Sequence, residues 1–515
     1  MNSDRGPGTL RGQGQADPTA ADGEPVTSHR HSTLLRNFSV LMMSQVTTWT
    51  IALLGVAVIP RYLGAELIGR LHIATSLWAL ALVVVIFGVD MMITKEVARD
   101  PDRVGTLLGT GIAVRMLLLV PVTAVLFGYL WLGGYPGQTM VIAMIIGLAT
   151  AINSITSSMS AALQGLERMG MLAVAGVSAK FVAVGGGVVL LVLGSDVYAV
   201  AAMVATGNLI AFVILFRALR EVRRERGDDT GLRLDPRGGL SILRAGAPYF
   251  AVGFFIAMYL QIDAVVISLV VETDEVLGWY SVYDRLGGTL MFLPTVFITA
   301  AYPTFSRMYA DDSDGASRLA QRCFESMLLL SVPVGFGLAA VADPVVELLF
   351  GEDFAEAGSV VAVGGFVTVL TYLTTVLGML LISMDRQRLW TRFIALGAFL
   401  TIPLDIVLVP YFQEHYDNGA IGGAVAYLIT EMIMLGGAIY LLPRGALGSR
   451  SVFFSIRVIA AGLLMFAAVV PFRDLVLPVP VAIGALVYAG AVFALRLISA
   501  DDRRLVRGLL RGGPS

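Results

Sequence analysis

Residues 276–297 form the stretch VLGWYSVYDRLGGTLMFLPTVF, which is apolar on both sides of the adjacent charges Asp284 and Arg285. A helix over these residues would be long enough to cross about 30 Å of hydrocarbon. Each of the two charges would cost about 3 kcal/mol or more if its side chain faced lipid. The stretch therefore predicts a membrane-spanning helix whose charges face the protein interior.

The whole chain has the composition of a membrane protein. Of its 515 residues, 57% are hydrophobic and only 14% are charged, and the mean hydropathy is +0.79. Soluble chains are nearer half apolar and a quarter charged. The apolar residues occur in runs of about twenty or more, which is typical of membrane helices and not of a β-barrel. We therefore expect an all-α polytopic membrane protein.

Fourteen transmembrane helices are predicted, with boundaries at turn residues and charges. They cover residues 37–59, 70–94, 105–131, 138–160, 170–193, 197–217, 245–269, 277–300, 319–341, 357–383, 391–411, 420–442, 451–471 and 476–497. Most of the 36 Lys and Arg residues fall in alternate connections, whereas the remaining connections are acidic. Because cytoplasmic loops carry an excess of Lys and Arg, we expect both termini to be cytoplasmic in a multi-pass protein of the cell membrane.

The sequence weakly repeats itself on either side of a charged loop. AELIGRLHIATS (65–76) opens the second span and resembles DEVLGWYSVYDR (274–285), which opens the eighth. QGLERMG (164–170) and ISMDRQR (382–388) correspond in the same way after the fourth and tenth spans. Two parallel six-helix lobes would be related by a pseudo-two-fold axis along the membrane normal, with a cavity between them.

These features predict five segments. They are a disordered cytoplasmic tail at 1–33, an N-terminal six-helix lobe at 34–218, a charged cytoplasmic linker at 219–244, a C-terminal six-helix lobe at 245–442, and two additional transmembrane helices with a cytoplasmic tail at 443–515.

Ionisable residues inside the predicted spans are candidate functional residues, because they are costly in lipid. They are Arg115, Lys180, Asp263, Asp284, Arg285, Asp405 and Glu431. Arg115 and Lys180 lie about 15 Å from the predicted cytoplasmic surface, with no acidic residue expected at their depth. Since guanidinium and ammonium groups bind phosphate oxygens, Arg115, Lys180 and Arg285 are candidate ligands of a pyrophosphate or anionic glycan. The alternative for Lys180 is a long side chain that reaches back to the interface.

Two interpretations are open for the eighth span. Asp263 and Arg285 are expected at matching depth, so they could form an ion pair that only ties two helices together. Alternatively, the helix lines a polar cavity, because its polar residues follow helical spacing. These residues are Ser281, Asp284, Arg285, Gly288 and Thr289, of which Ser281 and Thr289 are the expected uncharged cavity-lining side chains. The carboxylates Asp263, Asp284, Asp405 and Glu431 are candidates for ion pairing or for carrying a coupling ion such as H⁺ or Na⁺.

Enzyme chemistry is not indicated. The chain contains no phosphate-binding Walker A loop, no zinc-protease motif and no nucleophile-elbow motif. Its one cysteine, Cys323, excludes an internal disulfide and a multi-cysteine metal site. We expect no enzyme activity, no cofactor, no metal site built from Cys or His, and no nucleic-acid partner.

Several motifs in sequence order resemble the polysaccharide flippase family, which belongs to the multidrug/oligosaccharidyl-lipid/polysaccharide exporter superfamily. The motifs are Gln261-x-Asp263, Gly278-x-Tyr280, Pro303-x-x-Ser306, Asn37 with IPRYLGAELIGRL (59–71), and VVELLFGEDFAEAG (345–358). The resemblance covers roughly residues 34–442 and extends loosely to the last two helices.

The resemblance implies two lobes arranged in a V and transport by alternating access. The implied cargo is a polyprenyl-pyrophosphate-linked oligosaccharide, a precursor of a cell-envelope glycan, which moves from the inner to the outer leaflet. By the resemblance, Arg285 would belong to the cavity. The expected partners are the lipid-linked oligosaccharide, the bilayer, and glycan polymerases or transferases. Two alternatives stay open: a cation-coupled multidrug exporter of the same superfamily, and a non-transporting membrane scaffold in envelope assembly.

Overall fold

The structure is a computed structural model that describes residues 26–227, 231–235, 238–311, 313–443 and 445–497. Within these residues the regular elements are all helical. The α-helices are α1 (Val26–Ile86), α2 (Val89–Arg99), α3 (Val104–Leu132), α4 (Gly137–Gly165), α5 (Met169–Lys180), α6 (Gly187–Val192), α7 (Val197–Glu225), α8 (Gly238–Val270), α9 (Asp274–Leu290), α10 (Phe292–Asp311), α11 (Ser313–Ala340), α12 (Ala342–Phe350), α13 (Ala357–Ser383), α14 (Gln387–Tyr416), α15 (Gly419–Leu441), α16 (Ser449–Val469) and α17 (Pro478–Ala494).

Helix α1 contains the first two predicted spans as two limbs. Its 61 residues would measure about 90 Å if straight, about three times the hydrocarbon thickness. The limbs meet at Gly64, whose φ of 75° and ψ of 171° lie outside the helical region. Glycine adopts this positive φ at little cost because it has no Cβ.

Eleven helices in the described ranges are long and apolar enough to cross a membrane. A multi-pass membrane fold is therefore confirmed, while the count of fourteen stays a prediction. Three predicted spans account for the difference: the two limbs of α1 count as one helix, the eighth span is divided between α9 and α10, and the last is only the 17-residue α17.

The predicted segment boundaries differ from the helix bounds at three places. Residues 26–33 of the predicted disordered tail are helical in α1, and residues 1–25 lie outside the described part of the chain. The segment between the two helices is shorter than the linker predicted at 219–244, because α7 extends to Glu225 and α8 begins at Gly238. Residues 498–515 of the predicted C-terminal tail also lie outside the described ranges.

The two repeated sequence segments pack directly on each other where α1 crosses α9. A Cβ on Gly69 would overlap the carbonyl oxygen of Asp274, and a Cβ on Gly278 would overlap that of Ala65. Gly69 and Gly278 occupy equivalent places in the two repeats, as do Ala65 and Asp274. The contact is therefore reciprocal, as a two-fold relation between the repeats requires.

Buried side chains form three clusters. The first joins the two halves of the chain around Ile68, Trp78 and Val282. A second lies among α2, α3, α4 and α7, and a third includes α11, α13 and the two additional helices α16 and α17. Tyr488 of α17 donates a hydrogen bond of 2.8 Å to the carbonyl oxygen of Leu329. The additional helices are thus attached to the C-terminal half through α11.

Candidate functional site

Four ionisable side chains converge inside the molecule from both halves of the chain. Lys180 ends α5, His72 lies on the second limb of α1, and Asp284 and Arg285 lie on α9. The positive charge of Arg285 lies near enough to act on both Lys180 and His72. Nε2 of His72 is 4.0 Å from Oδ2 of Asp284. Lys180 and Arg285, although far apart in sequence, therefore lie near enough for their charges to interact.

The backbone at Lys180 is irregular. A π-helical segment, Phe181–Gly186, follows it directly and separates α5 from α6. Such segments widen a helix by one residue per turn and often mark functional positions. The segment ends in the glycine run 185–187, and a Cβ on Gly186 would press on the side chain of Met203 in α7.

Asp284 and Arg285 face an internal cavity. Both lie deep among protein atoms, yet 48% of the Asp284 side chain is accessible. Arg285 is half-buried, and its Nε has no hydrogen-bond partner among the described residues. A side chain in the interior that keeps this much open surface must border empty space.

The cavity-facing stripe on α9 differs from the predicted one at Ser281. That residue is fully buried, and its hydroxyl donates a hydrogen bond of 2.7 Å to the carbonyl oxygen of Gly278. The prediction that Ser281 lines a cavity is therefore wrong for this conformation. Thr289 is half-buried, and its hydroxyl donates to the carbonyl oxygen of Arg285. The accessible surface follows Asp284 and Gly288, which are two members of the predicted stripe.

Three carboxyl groups form a second cluster in the C-terminal half. Asp263 of α8, Asp405 of α14 and Glu431 of α15 are all buried, with at most 4% of their surface accessible. Tyr280 donates a hydrogen bond of 2.7 Å to Oδ2 of Asp263. Tyr259 donates one of 2.8 Å to Oε1 of Glu431. Asp263 and Glu431 therefore each have one carboxylate oxygen that accepts a hydrogen bond from a tyrosine.

The remaining carboxylate oxygens have no donor among the described residues. They are Oδ1 of Asp263, both oxygens of Asp405 and Oε2 of Glu431. Asp263 and Asp405 adjoin each other. Because ionised carboxylates only accept hydrogen bonds, their contact needs a proton or a small cation between them. No group of three or more His, Cys, Asp or Glu side chains suited to a metal ion occurs in the described part of the chain.

Arg115 is placed differently from the other two cations. Its side chain has no accessible surface, and its NH2 group lies 2.6 Å from Oδ1 of Asp90. Its NH1 group donates to the carbonyl oxygen of Ser154 at 2.5 Å and to the hydroxyl of Ser157 at 2.8 Å. The expectation that no acid lies at its depth is wrong, because α2 supplies Asp90. In this conformation Arg115 joins α2, α3 and α4, and its role in substrate binding stays a prediction.

The predicted alternative of an Asp263–Arg285 ion pair does not match the described contacts. Asp263 points toward Tyr280 and Asp405, whereas Arg285 lies beside Asp284, His72 and Lys180.

Several residues of these clusters were missed by the sequence analysis. His72 lies within the quoted repeat AELIGRLHIATS, and histidines inside spans are the signal that could have found it. Asp90 lies near the end of the second predicted span, 70–94, and is not among the ionisable residues predicted to be functional. Tyr259 and Tyr280 carry no charge, so only their contacts with the carboxylates reveal them.

The fold and these clusters define a polytopic helical membrane protein with ionisable side chains in its interior. The chain belongs to the polysaccharide biosynthesis protein family, whose family model matches residues 34–309, more than half of the chain. The resemblance inferred from the motifs is thereby confirmed.

A similar protein is the probable low-salt glycan biosynthesis flippase Agl15 of Haloferax volcanii. It is 20% identical over 402 residues, which cover 77% of this chain and 81% of the relative.

Two solved structures show the same fold. The lipid II flippase MurJ in an inward closed conformation has a TM-score of 0.69 at 13% identity, covering 89% of this chain and 99% of that one. An inward-facing multidrug resistance MATE family transporter of the MOP superfamily has a TM-score of 0.58 at 14% identity, covering 79% of this chain and 97% of that one.

Proposed function

We propose that the protein is a flippase that moves a polyprenyl-pyrophosphate-linked oligosaccharide, a cell-envelope glycan precursor, from the inner to the outer leaflet by alternating access. The observation that carries this proposal is that two cations in the interior, Lys180 and Arg285, come one from each half and lie near enough for their charges to interact, beside the accessible side chain of Asp284. The names of the relatives support it, since both Agl15 and MurJ are called flippases.

The chemistry of the cavity suits a pyrophosphate. A guanidinium offers several donors in a plane, and an ammonium offers a compact charge, so together they match the oxygens of two linked phosphates. Lys180 and Arg285 repel each other when the cavity is empty, and an anion between them removes that repulsion. Because they belong to different halves, bound cargo would hold the halves together at this point.

The distribution of charges supports a proposal for the orientation of the molecule. The basic end of the N-terminal half carries Arg99, Arg103, Arg168, Arg220 and Arg224, and the opposite, acidic end carries Glu66, Asp274, Glu275, Asp353 and Glu356. We place the basic end and both termini in the cytoplasm, with the protein in the cell membrane. Glycan polymerases or transferases that use the same lipid carrier are the expected partners.

The carboxyl cluster is proposed to couple transport to a cation. The pair Asp263 and Asp405 would take H⁺ or Na⁺, because either ion satisfies the unpartnered oxygens and removes one negative charge. Glu431 would be a second proton carrier. Proton or cation entry would change how α8 and α14 pack, and α8 also contacts α1 of the other half.

The test is transport in liposomes that contain the protein and a short polyprenyl-pyrophosphate oligosaccharide, with exposure of the sugar scored by an external enzyme. We expect Arg285→Gln to lower the rate at least tenfold, because the anion loses a charged donor. The matched control is Arg388→Gln, an exposed arginine at the start of α14, which should transport like the wild type.

Coupling is tested in the same liposomes. Asp405→Asn should make the rate insensitive to an imposed H⁺ or Na⁺ gradient, and only the gradient of the true coupling ion should accelerate the wild type. If the wild type exposes no sugar but exports organic cations, the function is multidrug export. Transport of neither substrate would favour a scaffold in envelope assembly.

A further inference from the structure

A separate cavity of about 410 Å³ opens at the basic end of the N-terminal half, among α3, α4 and α7. Its inner surface is apolar and includes Leu108, Met159 and Phe216. Its rim is basic, with Arg220 and Arg224 one helical turn apart on α7. The cavity contains none of the residues of the Arg285 cavity or the carboxyl cluster.

The linker between the halves forms one wall of this cavity. Gly231 and Leu232 line it directly. The linker is fixed to α3, because the backbone N–H of Arg233 donates to the carbonyl oxygen of Gly105 at 3.2 Å. The backbone N–H of Asp235 also donates to the hydroxyl of Thr110 at 3.0 Å. A Cβ on Gly109 would overlap the Arg233 backbone, so this close approach requires glycine.

The basic rim is not neutralised by the described neighbours. Arg220 and Arg224 are exposed, and neither forms an ion pair with a carboxylate of the described ranges. Glu225, which follows Arg224, pairs with Arg168 at 2.6 Å. Within the described ranges, the two arginines on this face of α7 therefore present positive charge without an ion-pair partner above an apolar floor.

The location of the cavity selects the kind of ligand. Arg220 and Arg224 lie in the last two turns of α7, a membrane-spanning helix, so the rim is at the boundary between water and hydrocarbon. The volume corresponds to about fourteen water molecules, enough for a headgroup and the first part of an acyl chain. A soluble anion would leave the apolar floor unfilled, and an uncharged lipid would leave the arginines unpaired.

We propose that this cavity binds an anionic phospholipid of the surrounding leaflet. The headgroup phosphate contacts Arg220 and Arg224, and the adjoining acyl chain lies on Phe216 and Met159. The bound lipid also contacts the linker wall and so helps to hold residues 231–232 against the N-terminal half. The site is distinct from the cargo cavity, so it does not depend on the proposed transport function.

The test measures lipid retention on the purified full-length protein by native mass spectrometry. Dioleoyl phosphatidylglycerol and dioleoyl phosphatidylcholine are compared, because they share acyl chains and differ in headgroup charge. We expect the wild type to retain the anionic lipid and the double variant Arg220→Gln/Arg224→Gln to retain about tenfold less. The matched control is Arg388→Gln/Arg392→Gln, which removes two exposed arginines of the same spacing from α14 and should leave retention unchanged.

A second variant tests the apolar floor. Phe216 is 43% accessible, so Phe216→Ala is compatible with folding and should weaken retention of the anionic lipid several-fold. Inorganic phosphate at millimolar concentration should not displace the lipid.

The proposal is overturned if both double variants lose the same amount of lipid, since the binding would then reflect general surface charge. It is also overturned if phosphate displaces the lipid or if phosphatidylcholine is retained equally well. If the protein exposes no sugar in the liposome assay but retains the anionic lipid, only the flippase proposal is contradicted.

Discussion

At the scale of single residues, Arg115 shows how the protein keeps a charge in its interior. Its guanidinium has no accessible surface and contacts Asp90, Ser154 and Ser157. Asp90 keeps 25% of its side chain accessible. The two partners are therefore unequal: Asp90 can regain water if it loses Arg115, whereas Arg115 has no other carboxylate partner among the described residues.

This inequality predicts the outcome of a double-mutant cycle. Asp90→Ala should destabilise the protein by about 3 kcal/mol, because it leaves a buried cation without an anion. Arg115→Leu should cost less, and adding Arg115→Leu to Asp90→Ala should restore part of the stability. Thermal unfolding in detergent measures all three variants.

The control for the cycle is Arg99→Leu, which removes an exposed pair with Glu96 at 3.6 Å and should change stability little. If Asp90→Ala and Arg115→Leu lower the stability equally, the unequal burial of the two partners does not control the cost of losing the pair.

The sequence identified ionisable residues inside the spans, but not the direction in which each side chain points. The matching depth of Asp263 and Arg285 stays a prediction. Their rotation about the helix axis depends on how α8 and α9 pack, and it turns Asp263 toward Asp405 and Arg285 toward Lys180. The Asp90–Arg115 pair was hidden for the same reason, since it joins two helices whose facing sides the sequence does not specify.

At the scale of elements, the crossing of α1 and α9 is controlled by two glycines. Gly69 and Gly278 let the two backbones touch, and neither position has room for a Cβ. The crossing lies at the acidic end, where the proposed alternating access would require the halves to separate. A tight crossing here stabilises the state in which that end is closed.

Substituting Gly278 should therefore favour opening of the acidic end. Gly278→Ala forces the backbones apart, whereas Gly288→Ala on the same helix adds a Cβ with no atom within 4 Å and serves as the control. Spin labels at exposed Tyr62 and Leu348, in a Cys323→Ala background, report the separation of the halves. If the distance increases in both variants or in neither, the close contact at Gly278 does not determine whether the acidic end is open.

The sequence predicted this crossing only in part. The similarity of residues 65–76 and 274–285 was visible, and hydropathy located the spans, because both are properties of single segments. The packing of the two segments against each other depends on the tertiary structure, so the sequence did not predict it. The sequence around Gly64 also gave no clear sign that a single non-helical residue would separate the two limbs of α1.

At the scale of the whole molecule, polar contacts at the acidic end fasten the halves together. Arg70 of α1 lies 2.8 Å from Oδ2 of Asp274 on α9, and it also contacts Glu66 and Gln138. Arg61 donates to the carbonyl oxygens of Glu347 and Leu349 at the C-terminal end of α12, where the helix dipole is negative.

Weakening the Arg70–Asp274 pair should shift the whole molecule toward a state open at the acidic end. Asp274→Asn should increase the open population about fivefold, or ~1 kcal/mol, since both side chains are partly accessible. The neighbouring Glu275→Gln removes the same charge from an exposed residue and should have no effect. The labels at Tyr62 and Leu348 measure the open population of each variant. If Asp274→Asn and Glu275→Gln increase it equally, the cause is the change in net charge and not the loss of the Arg70–Asp274 pair.

The reciprocal glycine contact has a consequence for how the two halves can diverge. An assembly of two identical chains would repeat every contact of such a joint on both sides of its axis. In this protein Arg70 meets Asp274 on one side, but the equivalent positions on the other side are Trp279 and Ala65. Trp279 instead donates from its indole nitrogen to the carbonyl oxygen of Asp353 at 3.3 Å. Because the two repeats lie in one covalent chain, they need not carry the same side chains, so one side of the joint is ionic and the other is aromatic.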